Sequence, residues 1–181
     1  GGPAAGTVAG ARRGGRVVGG AAATGAAAVV MEAGGVDAVV ASGRESGGHR
    51  VSVLKPAEES LIGTFALVPQ VADAVTIPVS AAGGIADRRG YAAAMALGAD
   101  AVQVGSAFLA TRESAAVPAY RAVLHSPAAR EPVLTRALSG RLPRGPPTPL
   151  TPQTPPAHPV TRRPPHACTP TPRQGPHPPP T

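Results

Sequence analysis

The chain has 181 residues, with 17 basic against 10 acidic side chains, 23 prolines and one cysteine. That length suits one domain of moderate size. The lone Cys168 excludes a disulfide within the chain, which fits a reducing, cytoplasmic setting. No apolar run approaches the roughly 20 residues that span a bilayer, so no membrane partner is expected.

The charge is unevenly placed. Residues 1–142 carry 13 basic and 10 acidic side chains; residues 143–181 carry four basic and none acidic. The formal +7 is therefore mostly a tail effect, and no nucleic-acid partner is expected of the folded part. No charged segment followed by an apolar one opens the chain, so no signal peptide is expected. The first residue is Gly, read as a missing or processed start.

After a weakly patterned opening of 15 residues, a module recurs. RVVGG (16–20) reads as a short strand ending in glycine, and AAATGAAAVVMEAGG (21–35) as an alanine-rich helix closed by glycine. DAVVAS (37–42) reads as a second strand, followed by the loop GRESGGHR. FALVPQVADAV (65–75) places Leu67, Val71, Ala74 and Val75 on one helical face, with Pro69 suited to the first turn. IPVSAAGG (77–84) reads as a third strand. DRRGYAAAMALG (87–98) reads as a helix with Asp87 as N-cap and Gly98 as its stop. DAVQVGS (100–106) reads as a fourth strand, and ESAAVPAYRAVLHS (113–126) as a further helix.

Strand, loop and helix at spacings of about 20–30 residues are the pattern of a parallel α/β sheet. The strands are continuous apolar runs, as buried parallel strands are. About four βα units are present, whereas a closed barrel takes about 250 residues. The sequence is therefore expected to form a small open α/β fold or part of a barrel over residues 1–142. The stretch 143–181 holds 16 of the 23 prolines and no Phe, Tyr, Ile or Met. It is expected to be disordered with polyproline-II character. Two readings of it stand: a partner-binding linker, or an out-of-frame reading of a GC-rich gene.

Each strand ends in glycine, so the loops at the carboxyl edge are the candidate site. In AAGGIAD (81–87), Gly83 and Gly84 leave backbone amides open to an anion at a helix start. In QVGSAF (103–108), Gln103, Val104, Gly105 and Ser106 repeat the arrangement and add a hydroxyl. His49 follows Gly47 and Gly48 on the same edge, where an imidazole could serve as a general base. Arg50 could steady an anion or simply face water. Lys55, Glu58 and Glu59 read as a solvated loop, and Arg88 and Arg89 as water-facing. His125 and the tail histidines lack metal spacing, and no metal site is expected.

The ordered series GGH, AAGGIAD and QVGSAFL, with VLTRALSGR more weakly, resembles the nitronate monooxygenase (2-nitropropane dioxygenase) family over roughly residues 16–142. The resemblance implies a (β/α)8 TIM barrel holding FMN at its carboxyl edge, here incomplete. It implies that Gly47 and Gly48 lie against the flavin, and that Gly83, Gly84, Gln103, Val104, Gly105 and Ser106 serve the phosphate. It further implies that His49 abstracts the proton α to a nitro group or orients a nitronate. The substrates would be a nitronate and O2, the products a carbonyl compound and nitrite. Ser42 stands where the family usually has glutamine, and His49-Arg50-Val51 where it usually reads HRG. The family's first strands are absent, and its pattern is read only to about Arg144. Similar loops occur in flavin-dependent enoyl reductases, the alternative enzyme. A non-catalytic protein acting through its proline-rich tail is the alternative of another class. An unclosed sheet exposes its edges, so weak stability and weak FMN binding are expected. The sequence sets no oligomeric state.

Overall fold

A computed structural model of the chain describes residues 5–137, 139–148 and 151. Helix α1 (Ala5–Arg13) precedes strand β1 (Gly19–Ala22), helix α2 (Gly25–Ala33) and strand β2 (Ala38–Ser42). A two-residue strand, β3 (Gly48–His49), follows, then helix α3 (Thr64–Ala72) and strand β4 (Val79–Ala82). Next come helix α4 (Arg88–Ala96), strand β5 (Ala101–Gln103) and helices α5 (Ser106–Leu109) and α6 (Pro118–Leu124). Strands β6 (Val133–Leu134) and β7 (Pro143–Gly145) close the described chain.

The four main strands form one parallel sheet in the order β1-β2-β4-β5. That order never reverses, so each βα unit is laid beside the last in the same sense. This is the winding of a barrel, whereas a doubly wound sheet turns back at a switch point. Helix α2 packs on β1 and β2, and α3 on β2, β4 and α2, so these helices share one face of the sheet. The chain is thus an α/β fold of TIM-barrel type with four βα units. Among the described residues no helix is long and apolar enough to cross a membrane.

The core lies between sheet and helices. Val39 and Ala41 of β2, Val79 and Ala81 of β4, and Leu67, Val68 and Val71 of α3 are buried there with Ala27 and Ala28 of α2. Alternation sends Val40 and Ser80, partners in register, to the opposite face, where both are half-buried. The strands use small residues because the helices approach closely. A Cβ on Gly20 would lie 3.2 Å from Cγ and Sδ of Met31.

Local chemistry explains the starts of α2 and α4. Thr24 has extended backbone, and its Oγ1 accepts the Ala27 amide at 3.1 Å, an N-cap for α2. Thr24→Ala is expected to cost about 1 kcal/mol, read as a lower urea midpoint with unchanged slope. An unchanged midpoint would mean that the Ala27 amide is satisfied without Thr24. Asp87 caps α4 through Arg89 and Gly90, as read from the sequence, and Gly98 (φ +96°) ends it.

Four sequence readings are corrected. The first strand is Gly19–Ala22 rather than 16–20, and Val17 is left exposed. Pro69 lies in the second turn of α3, where it has no amide for the Phe65 carbonyl; full burial of Leu67, Val68 and Val71 compensates. Ala74 lies past the end of α3 and is exposed. The last helix begins at Pro118 rather than Glu113, because Pro118 holds Val117 extended (φ −59°, ψ 145°) and suits the first helical position.

A second sheet was not expected at all. Strands β3, β7 and β6 pair antiparallel in that order, with Gly48 opposite Arg144, His49 opposite Pro143, and Leu134 opposite Arg144. The boundary read after residue 142 therefore falls at the start of a central strand. Of the proline-rich stretch, residues 149, 150 and 152–181, Cys168 included, lie outside the described residues.

Candidate functional site

Strands β2, β4 and β5 end on one edge, and each releases a loop there. The β2 loop carries Glu45, Ser46, Gly47 and Gly48 toward His49; the β4 loop is Gly83-Gly84; the β5 loop is Val104-Gly105-Ser106. The three loops touch. A Cβ on Gly47 would lie 3.2 Å from Ser106 Oγ, and one on Gly84 would lie 3.3 Å from Glu45 Cβ. Gly83 has φ +107°, and a Cβ there would lie 2.7 Å from Ser46 Oγ and 2.8 Å from Thr64 Oγ1. By contrast, nothing lies within 4 Å of the Cβ positions of Gly48 and Gly105, so the space a side chain would fill there is open. Gln103 and Ser106 are exposed beside Gly105. The sequence-predicted glycines and Ser106 are therefore brought to one place.

A polar clasp holds the first two loops. The Ser42 hydroxyl donates to Ser46 Oγ at 3.0 Å, and Ser46 donates to the Ala82 carbonyl at 3.1 Å. Ser42, at the position where glutamine was anticipated by resemblance, thus spends its short side chain inside the loop. Glu45 Oε2 accepts the backbone amide of Thr64 at 2.8 Å and its hydroxyl at 2.9 Å. That hydroxyl also lies 2.8 Å from the Gly83 carbonyl and 3.2 Å from that of Ala82. Burial pushes the Glu45 carboxyl upward, but the Thr64 amide and hydroxyl and the Arg144 charge outweigh it. The net shift is below the ordinary value, so Glu45 is an anion at neutral pH.

Arginines brace the same loop from outside. Arg50 donates to the carbonyls of Gly43 (3.3 Å), Arg44 (2.8 Å) and Ser60. It is a backbone clamp rather than the solvated side chain considered from sequence. Burial first, then the charges of Arg144 and Arg44, lower its pKa, and it remains a cation. Arg144 Nη1 donates to the Glu45 carbonyl at 2.8 Å. A cavity of about 290 Å³ lies beside these side chains, lined by Arg44, Arg50, Arg144, Glu58, Leu61 and Leu134.

His49 sits on β3, exposed, two residues past Gly47. Its Nε2 lies 2.6 Å from Ser139 Oγ, a partner 90 residues away that sequence reasoning missed. Pairing of β3 with β7 fixes its backbone, so the imidazole is presented from a strand rather than a free turn. An imidazole so placed has the chemistry to take or give a proton.

The remaining readings resolve simply. Glu58, read as solvated, pairs with Arg136 at the surface. Arg89 is exposed and paired with Asp87 at 2.6 Å, and Arg88 is exposed. His125 donates from Nε2 to the Ala110 carbonyl at 3.0 Å. Among the described residues no three His, Cys, Asp or Glu side chains gather as a metal site would require. Sequence reasoning also missed Glu45 and Thr64, whose partnership spans 19 residues and has no local signature.

The chain as a whole resembles known proteins. The family model for nitronate monooxygenase matches residues 1–167, past Arg144, where the resemblance read from sequence stops. A probable nitronate monooxygenase of Staphylococcus aureus (strain Newman) is 48% identical over 118 residues, 65% of this chain and 33% of that protein. The chain therefore spans about a third of the length of the curated relatives it matches. Among solved structures, nitroalkane oxidase from Streptomyces ansochromogenes matches with a TM-score of 0.78 at 40% identity, over 84% of this chain and 46% of that one. FabK from Thermotoga maritima matches with a TM-score of 0.71 at 40% identity, over 82% and 45%.

Proposed function

Because the chain belongs to the nitronate monooxygenase family, we propose that it carries the cofactor and proton-transfer loops of an FMN-dependent oxidoreductase. The reaction is oxidation of a nitronate by O2 to a carbonyl compound and nitrite. The observation that carries the reading is the convergence of three strand-end loops, with Gly47 against Ser106 and the Gly105 backbone open beside them. Bare backbone amides and a free-standing hydroxyl suit a phosphate. The open space beside Gly48 suits the flat face of a ring. These residues fit FMN.

In this reading Gly83, Gly84, Gln103, Val104, Gly105 and Ser106 hold the phosphate end, and Gly47 and Gly48 lie along the ring. When bound, FMN supplies the two-electron redox chemistry that no side chain here can perform. The chain's own part is binding, orientation and one proton. His49 takes the proton α to the nitro group, or orients a substrate that arrives already as the nitronate, while Ser139 steadies its Nε2. The enoyl reductase reading is the second, favoured by the likeness to FabK. Turnover of an enoyl thioester that requires a nicotinamide would support it, since nitronate oxidation by O2 needs none.

Titration of the purified chain with FMN, followed by flavin fluorescence, tests the cofactor site. Weak but saturable quenching is expected. Gly105→Asp should raise the Kd at least about tenfold, because it sets a carboxylate where the phosphate would lie. Equal binding by both proteins, or none by either, would overturn the placement.

A further inference from the structure

We infer that Glu45 is a positioning residue that locks the loop bearing His49 to the loop bearing Gly83 and Gly84. The inference rests on the reading of those loops as the proton-transfer and cofactor loops. Glu45 lies four residues before His49, and its side chain turns away from it, back toward β4 and α3. Three neighbours are shaped around it. A Cβ on Gly63 would lie 2.9 Å from Glu45 Oε1, and one on Gly84 would lie 3.3 Å from its Cβ and 3.5 Å from its Cγ. Thr64, the third, gives its amide and shares its hydroxyl with the same carboxylate oxygen and the Gly83 carbonyl.

The chemistry at α3 explains why a hydrogen-bond acceptor is needed. The residue before α3 is Gly63, which has no side chain to cap the helix, and no side-chain cap is made there. The Thr64 amide would otherwise lack a partner inside a buried residue. Glu45 supplies the acceptor from 19 residues upstream, so capping the helix and fixing the loop become one event. Thr64 passes the constraint on, since its hydroxyl reaches the Gly83 carbonyl. Arg144 reinforces it from β7 by holding the Glu45 carbonyl and adding a positive charge. Together with the bond from Ser46 to the Ala82 carbonyl, the Glu45 side chain sets the distance between Gly83-Gly84 and the segment that ends in Gly47, Gly48 and His49.

The test is hydrogen–deuterium exchange read by peptide on the full chain, comparing the parent with Glu45→Ala and Glu45→Gln. Glu45→Ala should speed exchange about tenfold in peptides covering 43–49 and 82–86, and leave those covering α2 and β1 unchanged. Glu45→Gln should restore the parent pattern within about threefold, because the amide oxygen accepts the same two hydrogen bonds. Uniform acceleration across all peptides would make Glu45 an ordinary structural residue and overturn the inference. No change in Glu45→Ala, or no rescue by Gln, would overturn it as well. FMN affinity measured alongside should fall about tenfold in Glu45→Ala and recover in Glu45→Gln. If the parent binds no FMN, the cofactor reading fails while the exchange pattern still decides the role of Glu45.

Discussion

His49→Asn should lower kcat/KM for a neutral nitroalkane by about 10²–10⁴-fold, the usual worth of a positioned general base. Of the side chains on its loop, the imidazole is the proton acceptor whose polar partner is a single hydroxyl, that of Ser139. Glu45 is occupied by Thr64, and Arg50 by backbone carbonyls. Asparagine keeps a polar group on β3, and the pairing of Gly48 and His49 with Arg144 and Pro143 uses backbone alone. FMN affinity should therefore change less than about threefold, because the Gly105-Ser106 backbone is untouched. With a preformed nitronate the proton is already gone, so the same variant should lose less than about tenfold. Equal losses on both substrates would assign His49 to orientation only. No loss on either would remove it from the reaction. The assay is oxygen consumption with each substrate, at matched flavin loading.

Gly83→Ala should destabilise the chain by about 3 kcal/mol. Two costs combine. At φ +107° an L side chain is strained by roughly 1–2 kcal/mol. Overpacking then adds about 1–3 kcal/mol, since the new Cβ would sit 2.7 Å from Ser46 Oγ and 2.8 Å from the Ser46 amide nitrogen. The amide belongs to backbone and cannot swing aside like a flexible side chain. Gly105→Ala is the control. Its φ is −105°, and nothing lies within 4 Å of the added Cβ, so a change within about 0.5 kcal/mol is expected. Urea denaturation of both variants measures the difference. A Gly83→Ala loss below about 1 kcal/mol would mean that the two loops separate at little cost, and that their contact does not define the site.

The parallel sheet was legible because its cause is local. Apolar runs ending in glycine alternate with helix-compatible stretches, and Asp87 and Gly98 mark a helix by capping chemistry that acts within three residues. Where longer-range packing competes with local preference, the reading slipped. Val17 and Val18 have higher strand propensity than Gly19 to Ala22. The smaller residues nevertheless form β1, because Met31 comes down on Gly20. Pro69 is placed in a second turn that propensity disfavours, and the full burial of Leu67, Val68 and Val71 on the same helix offsets it.

The site divides along the same line. Sequence by itself determined which loops share an edge: GGH, AAGG and QVGS are contiguous, and a parallel sheet puts every strand's carboxyl end on one side. It also determined the residue types able to bind a phosphate or move a proton. Only the tertiary structure decided how those loops are held. Glu45 meets Thr64, His49 meets Ser139 and Arg144 meets the Glu45 carbonyl across separations of 19, 90 and 99 residues. No periodicity spans such distances. A hydrogen bond depends on donor and acceptor meeting in space, and chain separation along the sequence leaves no pattern from which that meeting can be read.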